Sequence, residues 1–240
     1  MTSRPTVVLF DIDGTLVHTL GAGVRGMNAA FADLYGRTDV LEGLRIAGRT
    51  DRAIVSDAFR RLDLDPTTDR VAALRDAYLP HLARELAEAP AGNGCRVLPG
   101  VVETIDALDR RGDAIVGLLT GNFHGGAGVK LRHFGLWDRF AFGAFGDEHL
   151  DRRDLVPVAV AAARAGGHDV SAADLVVIGD TPLDVDCAHA HGARAIAVAT
   201  GPYTREALAR EGAELTVETL AELDADAAWL EALVGRQQKR

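Results

Sequence analysis

The sequence predicts an α/β fold: a parallel sheet covered by helices on both faces, opened near its start by an all-helical insertion. Two observations carry this. Short apolar, β-branched runs alternate with helical patterns, which is the signature of parallel strands joined by crossover helices. The stretch 17–94 breaks that alternation and offers helical signals only.

The elements follow in chain order. Residues 6–10 are an apolar run readable as a buried strand, and 114–119, 175–178 and 195–198 read the same way. Residues 140–145 are a weaker strand candidate, aromatic but interrupted by Gly143. Helical patterns cover 101–111, 126–134, 155–165 and 183–191 between them. Inside the insertion, helices fit 23–35, 51–62 and 68–89. The last carries Val71, Leu74, Tyr78, Leu82 and Leu86 at three- and four-residue spacing, an amphipathic stripe. The run 89–94 is rich in helix breakers and reads as the linker back to the α/β pattern. Residues 218–233 read as an amphipathic terminal helix, and 237–240 as a frayed tail.

Composition is that of a globular enzyme: 240 residues, 48% hydrophobic and 25% charged. The start of the chain lacks a signal-peptide layout, and no segment is long and apolar enough to cross a bilayer. Cys95 and Cys187 form no disulfide framework, so a reducing, cytoplasmic location is expected. The net charge of −9 argues against nucleic acid and anionic lipid as partners. It also means that a phosphorylated substrate would need a local reversal of field, from a divalent metal, a basic side chain or helix N-termini.

Four motifs carry chemistry. Asp11-Ile12-Asp13-Gly14-Thr15 follows the first strand directly, where ligands bind in open parallel sheets. Asp11 is placed to attack phosphorus, and Asp13 to donate a proton to the leaving oxygen and then take one from water. Leu118-Leu119-Thr120-Gly121-Asn122 ends another strand; a hydroxyl followed by Gly backbone N–H groups suits phosphate oxygens. Asp151-Arg152-Arg153-Asp154 opens a helix and offers a cation to neutralise phosphate and acids. Gly179-Asp180-Thr181-Pro182-Leu183-Asp184 has one Asp at a strand end and another in the first helical turn, both suited to Mg²⁺. Each alone has a plain structural explanation, as a solvated turn, a cap or a charged helix start. Together they place acids at several strand ends along one sheet edge, where they would repel one another without a bound dication.

With these residues in hand, the chain resembles the haloacid dehalogenase superfamily. The matches are the DxDGT run at Asp11–Thr15, the Thr-Gly-Asn run at Leu118–Asn122 and the GDTPxD run at Gly179–Asp184, spread over nearly the whole chain. The insertion resembles the helical cap of phosphoglycolate-phosphatase-like and β-phosphoglucomutase-like members. The resemblance implies a Rossmann-like doubly wound core at 1–16 and 95–240 under a cap at 17–94. It also implies a Mg²⁺-dependent phosphatase acting on a small phosphorylated metabolite. By motif match, Asp11 is nucleophile and metal ligand, and Asp13 is acid/base and gives its backbone carbonyl to the metal. Thr120, with Gly121 and Asn122, binds phosphate; Asp180 ligates the metal and Asp184 supports its shell. The family's usual lysine at the third motif is missing. Lys130 lies too early in the sequence, so Arg152 is assigned that place, with Arg153 as the alternate.

Neighbouring chemistries are weighed on the same residues. Asp13 argues against carbon–halogen cleavage, and a cap without lysine argues against a Schiff-base phosphonatase. A phosphomutase stays open because it needs the same motifs, and a phospho-acceptor module is disfavoured by chain length and the insertion. Specificity is expected from the cap. There Arg49, in the turn Ala47-Gly48-Arg49-Thr50-Asp51, can meet a second anionic group, and His18 and Thr19 can face the substrate. Substrate identity and oligomeric state are not readable.

Overall fold

The computed structural model describes residues 4–89, 94–223 and 227–234. The chain runs β1 (Thr6–Phe10), β2 (Val17–His18), α1 (Ala22–Tyr35), α2 (Asp51–Arg61), α3 (Thr68–Ala87) and β3 (Arg96–Val97). It continues α4 (Val101–Arg111), β4 (Ala114–Leu119), α5 (His124–His133), β5 (Gly143–Ala144), α6 (Leu155–Ala165), β6 (Leu175–Gly179) and α7 (Pro182–His189). It closes with β7 (Arg194–Val198), α8 (Arg205–Arg210), β8 (Leu215–Val217) and α9 (Ala228–Val234).

Six strands form a parallel sheet in the order β5-β4-β1-β6-β7-β8, with β1 paired to β4 on one side and β6 on the other. Side chains alternate across it, as strand geometry requires. Val8 and Phe10 face the core shared with α4, α5 and α9, while Val7 and Leu9 face the core shared with α6, α7 and α8. With both faces covered, the strands read as near-continuous apolar runs, which is why they are visible in the sequence.

Helices α1–α3 have a core of their own, built on Phe31, Phe59, Leu74 and Leu82. The rings of Phe31 and Phe59 meet edge-on with centroids 5.2 Å apart. The chain leaves and re-enters the α/β layers through an antiparallel ribbon, Val17 opposite Val97 and His18 opposite Arg96. Two-residue strands have too little pattern to be read from sequence, so this ribbon was not anticipated. No helix of the described residues is long and apolar enough to cross a membrane. Cys95 and Cys187 are both free.

Several expected elements shift. The strand expected at 140–145 shrinks to Gly143–Ala144, and the helix expected from 126 starts at His124. Helix α7 starts at Pro182, where a capping box between Thr181 and Asp184 fixes its N-terminus, and it ends at His189. The terminal helix expected at 218–233 does not form as one piece. Strand β8 precedes it, a 3₁₀ turn occupies Leu220–Glu222, and a helix covers only Ala228–Val234. Packing overrides periodicity here: Leu220 is buried, its carbonyl accepts from Thr104 Oγ1 at 3.5 Å, and its backbone sits against Gly100. Strand β8 and helix α8, three and six residues long, were not anticipated. The breaker run at 89–94 lies largely, and the tail at 237–240 wholly, outside the described residues.

Candidate active site

The sheet register builds the site. Phe10 pairs with Leu118 on β4 and with Ile178 on β6, so the residues just past all three strands emerge at one level on the same edge. Asp11 extends the ladder by one bond, its N–H donating to the Ile178 carbonyl at 2.9 Å. The chain then turns back within Ile12–Val17, closed by Val17 N–H to Ile12 O at 3.0 Å and Gly14 N–H to Val17 O at 2.9 Å. Gly14 is required here twice over. Its φ is +81°, and a Cβ would stand 2.3 Å from Asp180 Oδ2.

Asp11, Asp180 and Asp184 each offer one oxygen, and these oxygens lie within 4.8 Å of one another. All three side chains are buried. Burial pushes the Asp11 carboxyl up to about 6, against the pull of Arg152 and with help from Asp184 and Asp13. Burial, then the neighbouring charges of Asp184 and Asp11, raise Asp180 well above the carboxylate range. Arg152 is buried among them, its Nη2 2.5 Å from Asp184 Oδ1 and 3.1 Å from Asp11 Oδ1. Burial works against its charge, and Asp11 and Asp184 more than offset this. Its Nη1 also donates to Gly48 O at 3.1 Å. Arg153 is exposed and bonds Asp151 at 2.6 Å, so Arg152 is the one that reaches the acids. Asp184 is held by Thr181, whose N–H and Oγ1 donate to its Oδ2 at 2.9 and 2.7 Å. Thr15 Oγ1 donates to Asp180 Oδ1 at 3.3 Å.

The carboxylate of Asp13 stands apart from this group. Its Oδ2 accepts from Lys130 Nζ at 2.5 Å and from Asn122 Nδ2 at 2.9 Å, and its Oδ1 from Thr19 Oγ1 at 3.3 Å. Burial opposes its charge, but Lys130, Asn122 and Thr19 together hold it below the ordinary value. Lys130, set aside above as too early in the chain, is therefore in the site: it is buried in α5 and its Nζ also donates to Asn122 Oδ1 at 2.6 Å. The available signal was its place on the buried stripe of α5, with Ala127 and Leu131 three residues before and one after. Thr120 is buried, and its Oγ1 accepts from Asn122 N and Nδ2 at 3.3 and 2.8 Å.

The helical layer closes over these residues. Thr50 caps α2, accepting from Ala53 N–H at 3.2 Å. Asp51 then clasps the turn after β4: its N–H donates to Gly121 O at 2.7 Å, and its Oδ2 accepts from Phe123 N–H at 2.8 Å. Gly121 is needed for this seating, because a Cβ would lie 2.1 Å from Arg49 O. Arg49 lines the cavity while bonding Asp57 Oδ2 at 2.7 Å and Arg45 O at 3.1 Å. His18, with its buried Nδ1 unpartnered, lines the same cavity of about 470 Å³, beside Asp11, Asp13 and Arg152.

Asp51 was not singled out from sequence, where it reads as an ordinary helix-start acid. Burial pushes its carboxyl up to about 7, against Lys130 and the Phe123 N–H. A raised folded-state value means the contribution to stability is full below the ordinary 3.8 and lost as pH climbs through about 7. Asp51→Asn keeps an acceptor for Phe123 but carries no charge. Its melting temperature relative to the parent should therefore rise between about pH 4 and about pH 7 and level off above that. A difference that stays flat with pH would contradict the assignment of a raised value to Asp51.

A doubly wound parallel sheet, an acid cluster at the ends of its central strands and an inserted helical layer together mark a hydrolase whose chemistry rests on carboxylates at a sheet edge. The model of the haloacid dehalogenase-like hydrolase family matches residues 8–189, and the chain belongs to that family. A phosphoglycolate phosphatase of Rhodospirillum rubrum is 30% identical over 91% of this chain and 89% of its own length. A phosphoglycolate phosphatase of Agrobacterium fabrum is 26% identical, with 93% of each chain covered. Among solved structures, CbbY from Rhodobacter sphaeroides in complex with phosphate shares the fold with a TM-score of 0.68 at 21% identity, covering 91% of this chain and 96% of that one.

Proposed function

We propose that the chain is a Mg²⁺-dependent phosphomonoester hydrolase that works through an aspartyl-phosphate on Asp11, acting on a small phosphorylated metabolite. The observation that carries the reading is the convergence of Asp11, Asp180 and Asp184 beside Arg152 at one sheet edge. Buried carboxylates whose protonation is favoured by burial and mutual repulsion are a hard-oxygen donor set that fits a divalent cation. Asp11 and Asp180 would hold it directly, with the Asp13 backbone carbonyl, and Asp184 would support the shell. When bound, Mg²⁺ supplies positive charge opposite the phosphoryl oxygens and keeps Asp11 ionised.

The chain's own groups do the rest. Asp11 attacks phosphorus as the P–O bond to the leaving group breaks; Asp13, ionised beside Lys130 in the free site, takes up a proton as the anionic substrate binds and gives it to that oxygen. Asp13 then takes a proton from the water that attacks the aspartyl-phosphate, releasing inorganic phosphate and restoring Asp11. Arg152 balances the charge that builds on Asp11 and the phosphoryl oxygens, and the Thr120–Asn122 turn receives the latter. Residues 17–94 act as a cap over a core of 1–16 and 95–240, excluding water through the Asp51–Gly121 and Arg152–Gly48 contacts.

EDTA should silence turnover of p-nitrophenyl phosphate and Mg²⁺ should restore it; metal-independent turnover would contradict the role of Asp180. Because the metal binds only the folded protein, Mg²⁺ should also raise the melting temperature, by an amount that grows with its concentration. A screen of phosphorylated metabolites for released phosphate then tests the substrate, with phosphoglycolate among the first compounds because relatives carry that name. Isomerised sugar phosphate without released phosphate would select a phosphomutase instead.

A further inference from the structure

We infer that Lys130 is a positioning residue for the reaction: it orients Asp13 both directly and through Asn122. This rests on the role proposed above for Asp13. The chain has 26 Lys and Arg residues, and only Lys130 and Lys239 are lysines. One of the two is buried in helix α5 beneath the cap, on the stripe that otherwise holds glycine, alanine and leucine. Burying an ammonium is costly unless it is paired and hydrogen-bonded, so its partners define what it does.

Those partners are specific. Nζ lies 2.5 Å from Asp13 Oδ2 and 2.6 Å from Asn122 Oδ1. An ammonium only donates, so it must face the oxygen of the Asn122 amide and cannot face the nitrogen. That fixes Asn122 one way round. Its Nδ2 then points at Asp13 Oδ2, 2.9 Å away, and at Thr120 Oγ1, 2.8 Å away. Two consequences follow. Asp13 Oδ2 is occupied by two donors, Lys130 and Asn122, whereas Oδ1 meets only the longer 3.3 Å bond from Thr19. Oδ1 is thus the oxygen that exchanges a proton with the leaving group and then with water. Thr120 Oγ1 accepts from the Asn122 backbone N–H as well as from Nδ2, so this hydroxyl stays held when Lys130 is removed and phosphate binding is spared. A compact ammonium reaches both acceptors at once, where a planar guanidinium has a different spread of donors.

Protonating the leaving oxygen matters most when that oxygen leaves poorly. Lys130→Met should therefore be substrate-selective. On the fastest alkyl phosphomonoester of the screen, kcat should fall by about 100-fold, within the range of general acid catalysis. On p-nitrophenyl phosphate, whose nitrophenolate leaves readily, it should fall by no more than about threefold, the acid step being nearly dispensable there. KM should move little for either, and Lys130→Arg should restore part of the alkyl rate. The same substitution in an Asp13→Asn background should cost the alkyl rate almost nothing further, since residues acting as one unit are not additive. That double variant also removes the buried charge left behind by Lys130→Met and serves if the single variant does not fold. Equal losses on both substrates, or additive losses in the double variant, would overturn the positioning role. Parent enzyme that turns over neither substrate with Mg²⁺ would overturn the phosphatase reading itself.

Discussion

Asp11→Asn should abolish turnover of p-nitrophenyl phosphate, by at least ~10³-fold in kcat, because the attacking atom itself is removed. The fold should survive. Asn is isosteric, and the Asp11 N–H bond to Ile178 that extends the ladder is made by backbone. Without metal, the variant should melt no lower than the parent above about pH 6, where the parent's buried Asp11 is ionised at a cost. The sign is set by the raised folded-state value: stability from Asp11 is lost, not gained, as pH rises through about 6. Calorimetry of both proteins in EDTA at about pH 8 checks this. A folded Asn variant with full activity would remove Asp11 from the mechanism.

Arg152→Ala should be the most damaging single change to activity and stability together. The side chain is 5% exposed and is the cation between Asp11 and Asp184. Removing it leaves buried acids without their countercharge, at a cost of about 3–5 kcal/mol, the usual result of breaking a buried pair from one side. Its bond to Gly48 O also ties the helical layer to the sheet edge, so the seating of that layer should suffer. Mg²⁺ should recover part of the lost stability by supplying positive charge to the same acids. Arg153→Ala, by contrast, removes an exposed side chain paired to its near neighbour Asp151 and should stay within about 0.5 kcal/mol of the parent. Denaturant melts and kcat for the two variants, measured side by side, check the contrast. The reverse order would move the assignment by one residue.

The contrast between Arg152 and Lys130 shows where sequence reading succeeds and where it stops. Strands buried on both faces announce themselves as apolar runs, and an acid directly after such a run is at a strand end whatever the rest does. Asp11, Thr120 and Asp180 were therefore readable, and parallel register then brings them to one level. Arg152 was reached only through the resemblance, as the stand-in for the family's usual lysine, because its own segment reads as an ordinary charged helix start. Lys130 and Asp51 were not, for one physical reason. Each reaches the site from an element whose placement depends on packing, α5 beside the sheet and α2 in the helical layer above it. Linear spacing says nothing about that packing. The short ribbon β2–β3 and strand β8 were hidden for another: two or three residues carry no period, and only their neighbours make them strands.

The central claim is that Asp11 carries the phosphoryl group during turnover. Parent enzyme mixed with Mg²⁺ and p-nitrophenyl phosphate, quenched in acid within one turnover and digested, should give one peptide heavier by a phosphoryl group. That peptide should span Asp11 and be absent from Asp11→Asn. A phosphoryl group found on another residue, or released phosphate with no modified peptide at any quench time, would contradict the account.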